Sequence, residues 1–260
     1  MRMRFTGYSK VVNWALPIVL VLLIVPALLK IFVCDRFTVN GPSMQPTYTT
    51  GEHVWVNKLV MGARIYKKYD FQSPDLSCFR MPGLRSVREG DILVFNYPQG
   101  WEKGKIGFKI NYVYCKRCIG TPGDTVSVRS GYYYNNSHLC AAVPENNQRL
   151  LSYKVDSLVE NHLIVLRALA SKRTGWTIRD FGPMVVPRKG TQIRMDAMMK
   201  AVYKKEIEYE TGRSVKELKD SMYCFQSNWY FVGGDNVLDS RDSRYFGLVP
   251  EDFIIGVATR

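Results

Sequence analysis

From Val11 to Leu29 the chain carries no charged side chain. The run reads Val-Val-Asn-Trp-Ala-Leu-Pro-Ile-Val-Leu-Val-Leu-Leu-Ile-Val-Pro-Ala-Leu-Leu. As a helix it rises about 28 Å, roughly one hydrocarbon core. A helix that is apolar on every side has no face for water, which argues against a buried helix of a soluble domain. Pro17 and Pro26 kink such a helix, and membrane helices tolerate them. Trp14 suits one membrane interface, and Lys30 can extend its amine to the other. A cleavable leader has a shorter apolar run closed by a small-x-small site, whereas this run continues into Leu29-Lys30-Ile31-Phe32. The reading is an uncleaved anchor. Arg2, Arg4 and Lys10 precede it with no acid among them, which places that end in the cytoplasm and the rest of the chain across the membrane.

The chain beyond the anchor is long enough to bury one sizeable core, or one core with an inserted subdomain. The formal charge is +13. That excess suits nucleic acid, anionic lipid or simply a basic soluble surface. No long Lys/Arg block and no finger, helix-turn-helix or RNA-binding signature is present, so no nucleic-acid partner is expected. Beside an anchor, the lipid bilayer is the better partner. The six cysteines are Cys34, Cys78, Cys115, Cys118, Cys140 and Cys224. Cys115-x-x-Cys118 has no second pair to complete a zinc site, so neither metal nor cofactor is expected. One or two structural disulfides fit a domain outside the cytoplasm.

Beyond the anchor the pattern turns to strands. Phe37–Val39, Gly51–Leu59, Ile92–Phe95, Asn111–Ile119, Thr125–Val128, Trp229–Val232 and Ile254–Val257 alternate or run apolar as strands do. Val60–Arg88 reads as a long loop or hairpin, and Trp101–Lys109 as a loop. Between Ser130 and about Cys224 the composition shifts. There Met195, Met198, Met199, Val202, Tyr203 and Ile207 fall at helical spacing ahead of a Gly212 cap, and Phe181–Pro187 reads as an edge strand. This stretch reads as an inserted subdomain.

Three polar clusters lie at strand ends: Ser43, Lys116-Arg117, and Asp235-Asn236 with Ser240, Asp242 and Arg244. Ser43 sits in a small-residue turn, Gly41-Pro42-Ser43-Met44-Gln45-Pro46-Thr47. His53, His138 and His162 fall outside these clusters in sequence, and a Ser-His-Asp triad stays open because triad order varies between folds. The sharper arrangement is a Ser-Lys dyad. An exposed lysine is a poor base at neutral pH, but burial lowers its pKa, and a neutral amine can take the serine proton. Strand alternation puts Tyr114 and Cys118 on the face of Lys116 and Arg117 on the other. An ordinary exposed strand lysine is the plain alternative.

Three stretches occur in order behind the anchor: Gly41–Thr47; Lys116-Arg117-Cys118-Ile119-Gly120-Thr121-Pro122-Gly123-Asp124; and Gly234-Asp235-Asn236 with Ser240-x-Asp242-Ser243-Arg244-Tyr245-Phe246-Gly247-Leu248-Val249-Pro250. Together they resemble the signature segments of bacterial type I signal peptidases, the leader peptidases of peptidase family S26. Phe181-Gly182-Pro183 and the tyrosine-rich helix after it are similar to the Bacteroidetes version.

The resemblance implies a mainly β fold: a coiled antiparallel signal-peptidase-like domain with an inserted α/β subdomain, one N-terminal transmembrane helix, and an apolar edge in the outer leaflet. Its divisions are a cytoplasmic N-terminus at 1–10, an anchor at 11–33, catalytic core at 34–129 and 226–260, and the insert at 130–225. It implies a membrane-anchored serine endopeptidase that removes N-terminal signal peptides from exported preproteins after Ala-x-Ala-like sites. By the same resemblance Ser43 is the nucleophile, Lys116 the general base, and Ser240 the group that orients the amine. Asp242, Arg244, Asp235 and Arg117 form an ion-pair framework. Val39, Asn40, Gly41, Met44, Tyr48, Tyr114 and Cys115 line pockets for small side chains, and the Ser43 N–H meets the oxyanion. Many members carry a second serine where Gly41 stands here, so the backbone, Asn40 or a water takes that part. A peptidase maturing a single secretion or conjugation component, and an inactive membrane-anchored homologue, are the alternatives.

Overall fold

Helix α1 (Thr6–Phe32) hands directly to strand β1 (Cys34–Thr38) and then β2 (His53–Asn57). In this computed structural model residues 6–68, 76–99, 104–160, 166–218 and 221–259 are described, with the side chains of 6–16 and 154–160 outside that set. His162, and half of the expected N-terminal segment 1–10, therefore lie outside the described residues.

A short hairpin, β3 (Arg64–Tyr66) with β4 (Cys78–Arg80), occupies the region read as loop or hairpin. Next come β5 (Ile92–Asn96), β6 (Val113–Gly120), β7 (Thr125–Arg129), β8 (Tyr132–Asn135) and β9 (His138–Leu139). The middle of the chain supplies α2 (Glu145–Glu160), α3 (Ser171–Thr174), β10 (Phe181–Val185), β11 (Gln192–Arg194), α4 (Ala197–Val202), α5 (Lys204–Thr211) and β12 (Met222–Cys224). It closes with β13 (Trp229–Gly233), α6 (Ser243–Phe246), β14 (Val249–Pro250) and β15 (Ile254–Thr259).

The protein is mainly β. Seven strands form one antiparallel sheet in the order β1-β2-β15-β5-β6-β13-β14. The last strand lies between β2 and β5, so the C-terminus locks the two sequence halves together. The register shifts at Phe231/Val232 and at Ile254/Gly256, and such bulges increase twist and curl the sheet. Gly256 is required at the second bulge, because a Cβ there would stand 2.6 Å from Asn57 O.

The sequence explains which strands are central. Ile92-Leu93-Val94-Phe95-Asn96 is buried at every position, as a strand covered on both faces must be. β2 alternates between exposed and buried, as a strand with one wet face should. On one face Leu93 and Phe95 pack with Cys118 and Phe253; on the other Ile92 and Val94 pack with Cys115, Met44 and Tyr48.

Residues 130–225 build a second sheet on β7, in the order β10-β7-β8-β9, with β10 on its edge. Its core is continuous with the main body: Tyr133, Phe181, Val202 and Tyr203 share one apolar cluster with Ile119, Trp229, Phe231 and Leu248. The methionine-rich stripe is broken rather than continuous. The Asp196 carboxylate accepts from the N–H groups of Met198 and Met199, so α4 starts after Met195, and Tyr203 separates it from α5. Gly212 ends α5 in the left-handed conformation that suits glycine.

The apolar side chains of α1 from Ile18 to Ile31 stand exposed. Among the described residues no helix is long and apolar enough to cross a membrane. The end of α1 is tied to the sheet, since Lys58 Nζ donates to Lys30 O at 2.6 Å and pairs with Asp35 at 3.5 Å. The expected disulfides are not formed: all six cysteines are free. Cys115 and Cys118, three apart on β6, point into opposite clusters and cannot share a ligand.

Candidate active site

The Ser43 turn is the tip of a loop closed by Val39 N–H to Glu52 O and Gly51 N–H to Val39 O, both 2.8 Å. Gly41 at φ +95° supplies a backbone conformation that L side chains rarely adopt, although a Cβ there would meet nothing within 4 Å. Met44 and Tyr48 pull the turn inward, at 0% and 2% exposure. Tyr48 N–H donates to Met44 O and Gln45 N–H to Pro42 O, each at 3.0 Å. Ser43 is left half-buried at the lip.

Lys116 arrives from β6, paired to Leu93 of β5. Its side chain is 2% exposed and its Nζ donates to Ser43 Oγ. The Tyr114 ring lies 5.4 Å from the amine. Burial pushes the Lys116 pKa below the usual lysine value, against the opposing pull of Asp242, Cys115, Asp235 and Asp239.

Two arginine–carboxylate pairs hold the surrounding turns. Arg117 grips the fully buried Asp235 through both oxygens, Nε to Oδ1 at 2.7 Å and Nη2 to Oδ2 at 2.6 Å. The Thr47 hydroxyl donates to the same Oδ2, and Arg117 Nη1 donates to Gly90 O at 2.8 Å. Arg244 grips Asp242 likewise, at 2.8 Å on each side, with both side chains fully buried. Asp242 Oδ2 also accepts from Gly234 N–H at 3.1 Å. From the Gly234–Asn236 turn, Asn236 N–H donates to Ser43 O at 3.1 Å and Asn236 Nδ2 to Pro42 O at 3.3 Å.

Ser240 departs from expectation. It is buried, but Oγ has no hydrogen-bond partner among the described residues, the lysine amine included. The hydroxyl rests on Gly234, where a Cβ would come within 2.1 Å of it and within 2.6 Å of Ser43 O. Only glycine permits this approach of three segments.

A cleft of about 390 Å³ opens beside Ser43 and Lys116, lined by Val39, Asn40, Gly41 and Met44 on one wall and Tyr112–Lys116 on the other. Asp239 and Arg241 close one end. Tyr48 does not line it: the ring belongs to the apolar cluster beneath with Val39, Met44 and Cys115, because its apolar body outweighs one hydroxyl in that position. Burial raises the Cys115 thiol to about 12, so it is a neutral wall. β13 pairs with β6 only from Arg117 to Gly120, which leaves the outer edge of Val113–Lys116 facing the cleft without a strand partner among the described residues.

No histidine enters this cleft among the described residues. His53 pairs with Thr38 at 2.9 Å and His138 with Glu89 at 3.3 Å, both exposed. Among the described residues no cluster could hold a metal ion. A larger recess of about 520 Å³ lies elsewhere, between Arg85, Arg188 and Glu251. Its polar groups are already matched, Arg85 to Asp91, Arg188 to Pro122 O and Asn228 to Glu251. The smaller cleft is the one that Ser43 and Lys116 line.

Asn147 at the start of α2 is the contributor that the sequence did not announce. Its Nδ2 donates to Gln45 O at 3.1 Å and to Asp235 O at 2.7 Å. No local pattern marks it, since its partners lie 102 and 88 residues away.

A family model described as signal peptidase, peptidase S26, matches residues 11–260. Signal peptidase I of Aquifex aeolicus is 28% identical over 247 residues, covering 93% of this chain and 81% of that protein. Signal peptidase I P of Bacillus subtilis subsp. natto is 27% identical over 254 residues, covering 97% and 88%. A crystal structure of a signal peptidase I from Enterococcus faecalis V583 is similar at 21% identity and TM-score 0.33, over 68% of this chain and 100% of that one.

Proposed function

The chain belongs to the signal peptidase family, peptidase S26, a serine hydrolase of the signal peptidase I type, and from that we propose the site and the setting in which it works. Ser43 and Lys116 form the catalytic dyad of a membrane-anchored endopeptidase that cleaves signal peptides from exported bacterial preproteins. The observation that carries this is the contact between the Lys116 amine and the Ser43 hydroxyl inside an apolar wall.

Neutral Lys116 accepts the Ser43 proton as Oγ bonds to the scissile carbonyl carbon. The carbonyl π electrons move to oxygen, and the Ser43 N–H, to which no acceptor is assigned among the described residues, faces that charge. The C–N bond then breaks, and the leaving amine, the new N-terminus of the mature protein, takes the proton from Lys116. An ester of Ser43 remains. Water adds to it while giving a proton to Lys116, the C–Oγ bond breaks, and Oγ recovers that proton. The signal peptide leaves as a carboxylate.

The unpaired edge of Val113–Lys116 suits an extended substrate lying as an added strand between it and residues 39–43. Met44, Cys115 and Val39 leave little depth there, which suits alanine-sized side chains. Arg117, Asp235, Asp242 and Arg244 act as the frame, and Ser240 packs the dyad against Gly234. We read α1 as the anchor because its described apolar side chains stand uncovered, a state water disfavours, and because residues 11–29 carry no charge. Arg2, Arg4 and Lys10 then put the catalytic domain on the extracytoplasmic side of the bacterial inner membrane. Residues 130–225 are read as the insertion into that domain.

The test is cleavage of an Ala-x-Ala signal-peptide substrate by detergent-solubilised full-length protein. Ser43→Ala and Lys116→Ala each lose about a thousandfold or more in kcat/KM. Cleavage by either variant at the wild-type rate refutes the dyad.

A further inference from the structure

The serine turn is held from three directions, and one of them is a helix the proposed mechanism does not use. We propose that Asn147 is a positioning residue for Ser43, locking the serine turn to the Gly234–Asn236 turn so that the hydroxyl meets the Lys116 amine. The inference rests on reading Ser43 as the nucleophile and adds to it a residue from α2.

Two carbonyl oxygens, of Gln45 and Asp235, lie within 3.1 Å of the single Asn147 Nδ2. Both are partial negative charges, and without a donor between them they repel. An amide NH2 has two hydrogens, so one side chain satisfies both at once. Gln45 lies two residues past Ser43, and Asp235 immediately precedes Asn236, whose N–H and side chain hold Ser43 O and Pro42 O. Thr47 adds the contact to the Asp235 carboxylate. The serine turn is thus bonded at Pro42, Ser43, Gln45 and Thr47, and Asn147 spans the middle of that seam.

A clamp needs a stiff mount. The neighbouring Gln148 is 2% exposed, accepts Tyr133 N–H at 2.8 Å and donates to Val143 O at 2.9 Å. Gly131 lies so close to α2 that a Cβ would approach Ser152 N to 2.8 Å. The first turn of α2 is therefore fixed to β8, and Asn147 is itself half-buried at the seam. Its donors are aimed at main-chain carbonyls rather than at the cleft, and it does not line the cleft, so it acts through Ser43 and not on substrate.

The experiment compares full-length wild type with Asn147→Ala and the near-isosteric Asn147→Asp, which at neutral pH has no donor. Steady-state cleavage is measured per folded protein, well below each melting temperature. Displacement of the hydroxyl by a fraction of an ångström lowers kcat about tenfold or more in both variants, with KM within about twofold, because the substrate walls are untouched. A kcat within about twofold of wild type, or a loss that disappears on normalising to folded protein, overturns the proposal. If neither variant accumulates, Asn147→Ser, which keeps one donor, is judged by the same criteria. Ser43→Ala and Lys116→Ala run alongside. Full activity in those would sink the peptidase assignment itself, whereas their inactivity beside an undiminished Asn147→Ala removes only the role given to Asn147.

Discussion

A glutamate that the chemistry does not use makes stability fall as pH rises toward neutrality. Glu206 on α5 is 1% exposed. Its Oε1 accepts from Leu248 N–H at 2.9 Å, and Oε2 has no partner among the described residues. The adjacent Lys205 turns its amine to Phe246 O at 2.9 Å. Burial raises the Glu206 pKa from 4.5 to about 7, and the Leu248 N–H and Lys205 offset it only in part. The folded protein therefore holds this proton more tightly than the unfolded chain does. The contribution is complete below about pH 4.5, fades as pH rises to about 7, and is flat above. Taking the shift at about 1.36 kcal/mol per unit gives about 3 kcal/mol across that window. Glu206→Gln keeps the acceptor for Leu248 and cannot ionise, so it removes this slope and leaves a constant offset for the buried amide. Denaturant unfolding of both proteins in the same detergent, from pH 4.5 to 8, isolates the term, because all other groups cancel in the difference. The variant gains about 3 kcal/mol on wild type between the ends of the series. A difference that does not change with pH refutes the reasoning.

The lowered pKa of Lys116 predicts that kcat/KM on an uncharged peptide rises with pH along an ionisation centred below the usual lysine value of 10.5. Asp239, which closes one end of the cleft, is exposed and opposes that lowering from outside the two arginine pairs: Asp239→Asn moves the midpoint to lower pH, and an unmoved or raised midpoint contradicts the field assigned to it. Gly234→Ala forces a methyl against Ser240 and Ser43 O, and kcat drops on the order of a hundredfold; near-wild-type turnover shows the packing to be slack. Asp235→Ala strands the Arg117 charge and costs roughly 3–5 kcal/mol by denaturant melt, with a cost under about 1 kcal/mol counting against a tight buried pair.

The parts legible from sequence are those whose cause is local. β5 shows as a continuous apolar run, β2 as alternation, and Gly212 as a helix stop. The contact between Ser43 and Lys116, 73 residues apart, is legible only through the resemblance of its two segments to a known family, since spacing alone leaves Lys116 an ordinary strand lysine. What escaped is set by contacts distant in sequence. Helix α2 begins Glu-Asn-Asn-Gln, which has weak periodicity, and is stabilised by Gln148 reaching β8. Tyr48 sits beside the serine motif and reads as a pocket lining, but the neighbouring β2 and β6 side chains enclose it. The separation of Cys115 from Cys118 comes from a strand's period of two, which forbids a shared ligand at odd spacing.

The frame also explains how the pKa of a lysine near three carboxylates is still lowered. Unpaired, Asp235 and Asp242 would raise the pKa of the amine more strongly. Each is instead gripped through both oxygens by an arginine, and every member of the two pairs is buried or nearly so. From the amine, a paired carboxylate is a dipole rather than a bare charge, and its field falls off faster with distance. Asp239 is exposed, so water and salt weaken its field at the amine without removing it. What remains close to Nζ is the apolar wall and the Tyr114 ring. Desolvation accordingly outweighs the carboxylates. Arg117 and Arg244 thus do more than tie down turns: by pairing with the acids of the frame, they let those acids lie near the lysine while its pKa stays lowered.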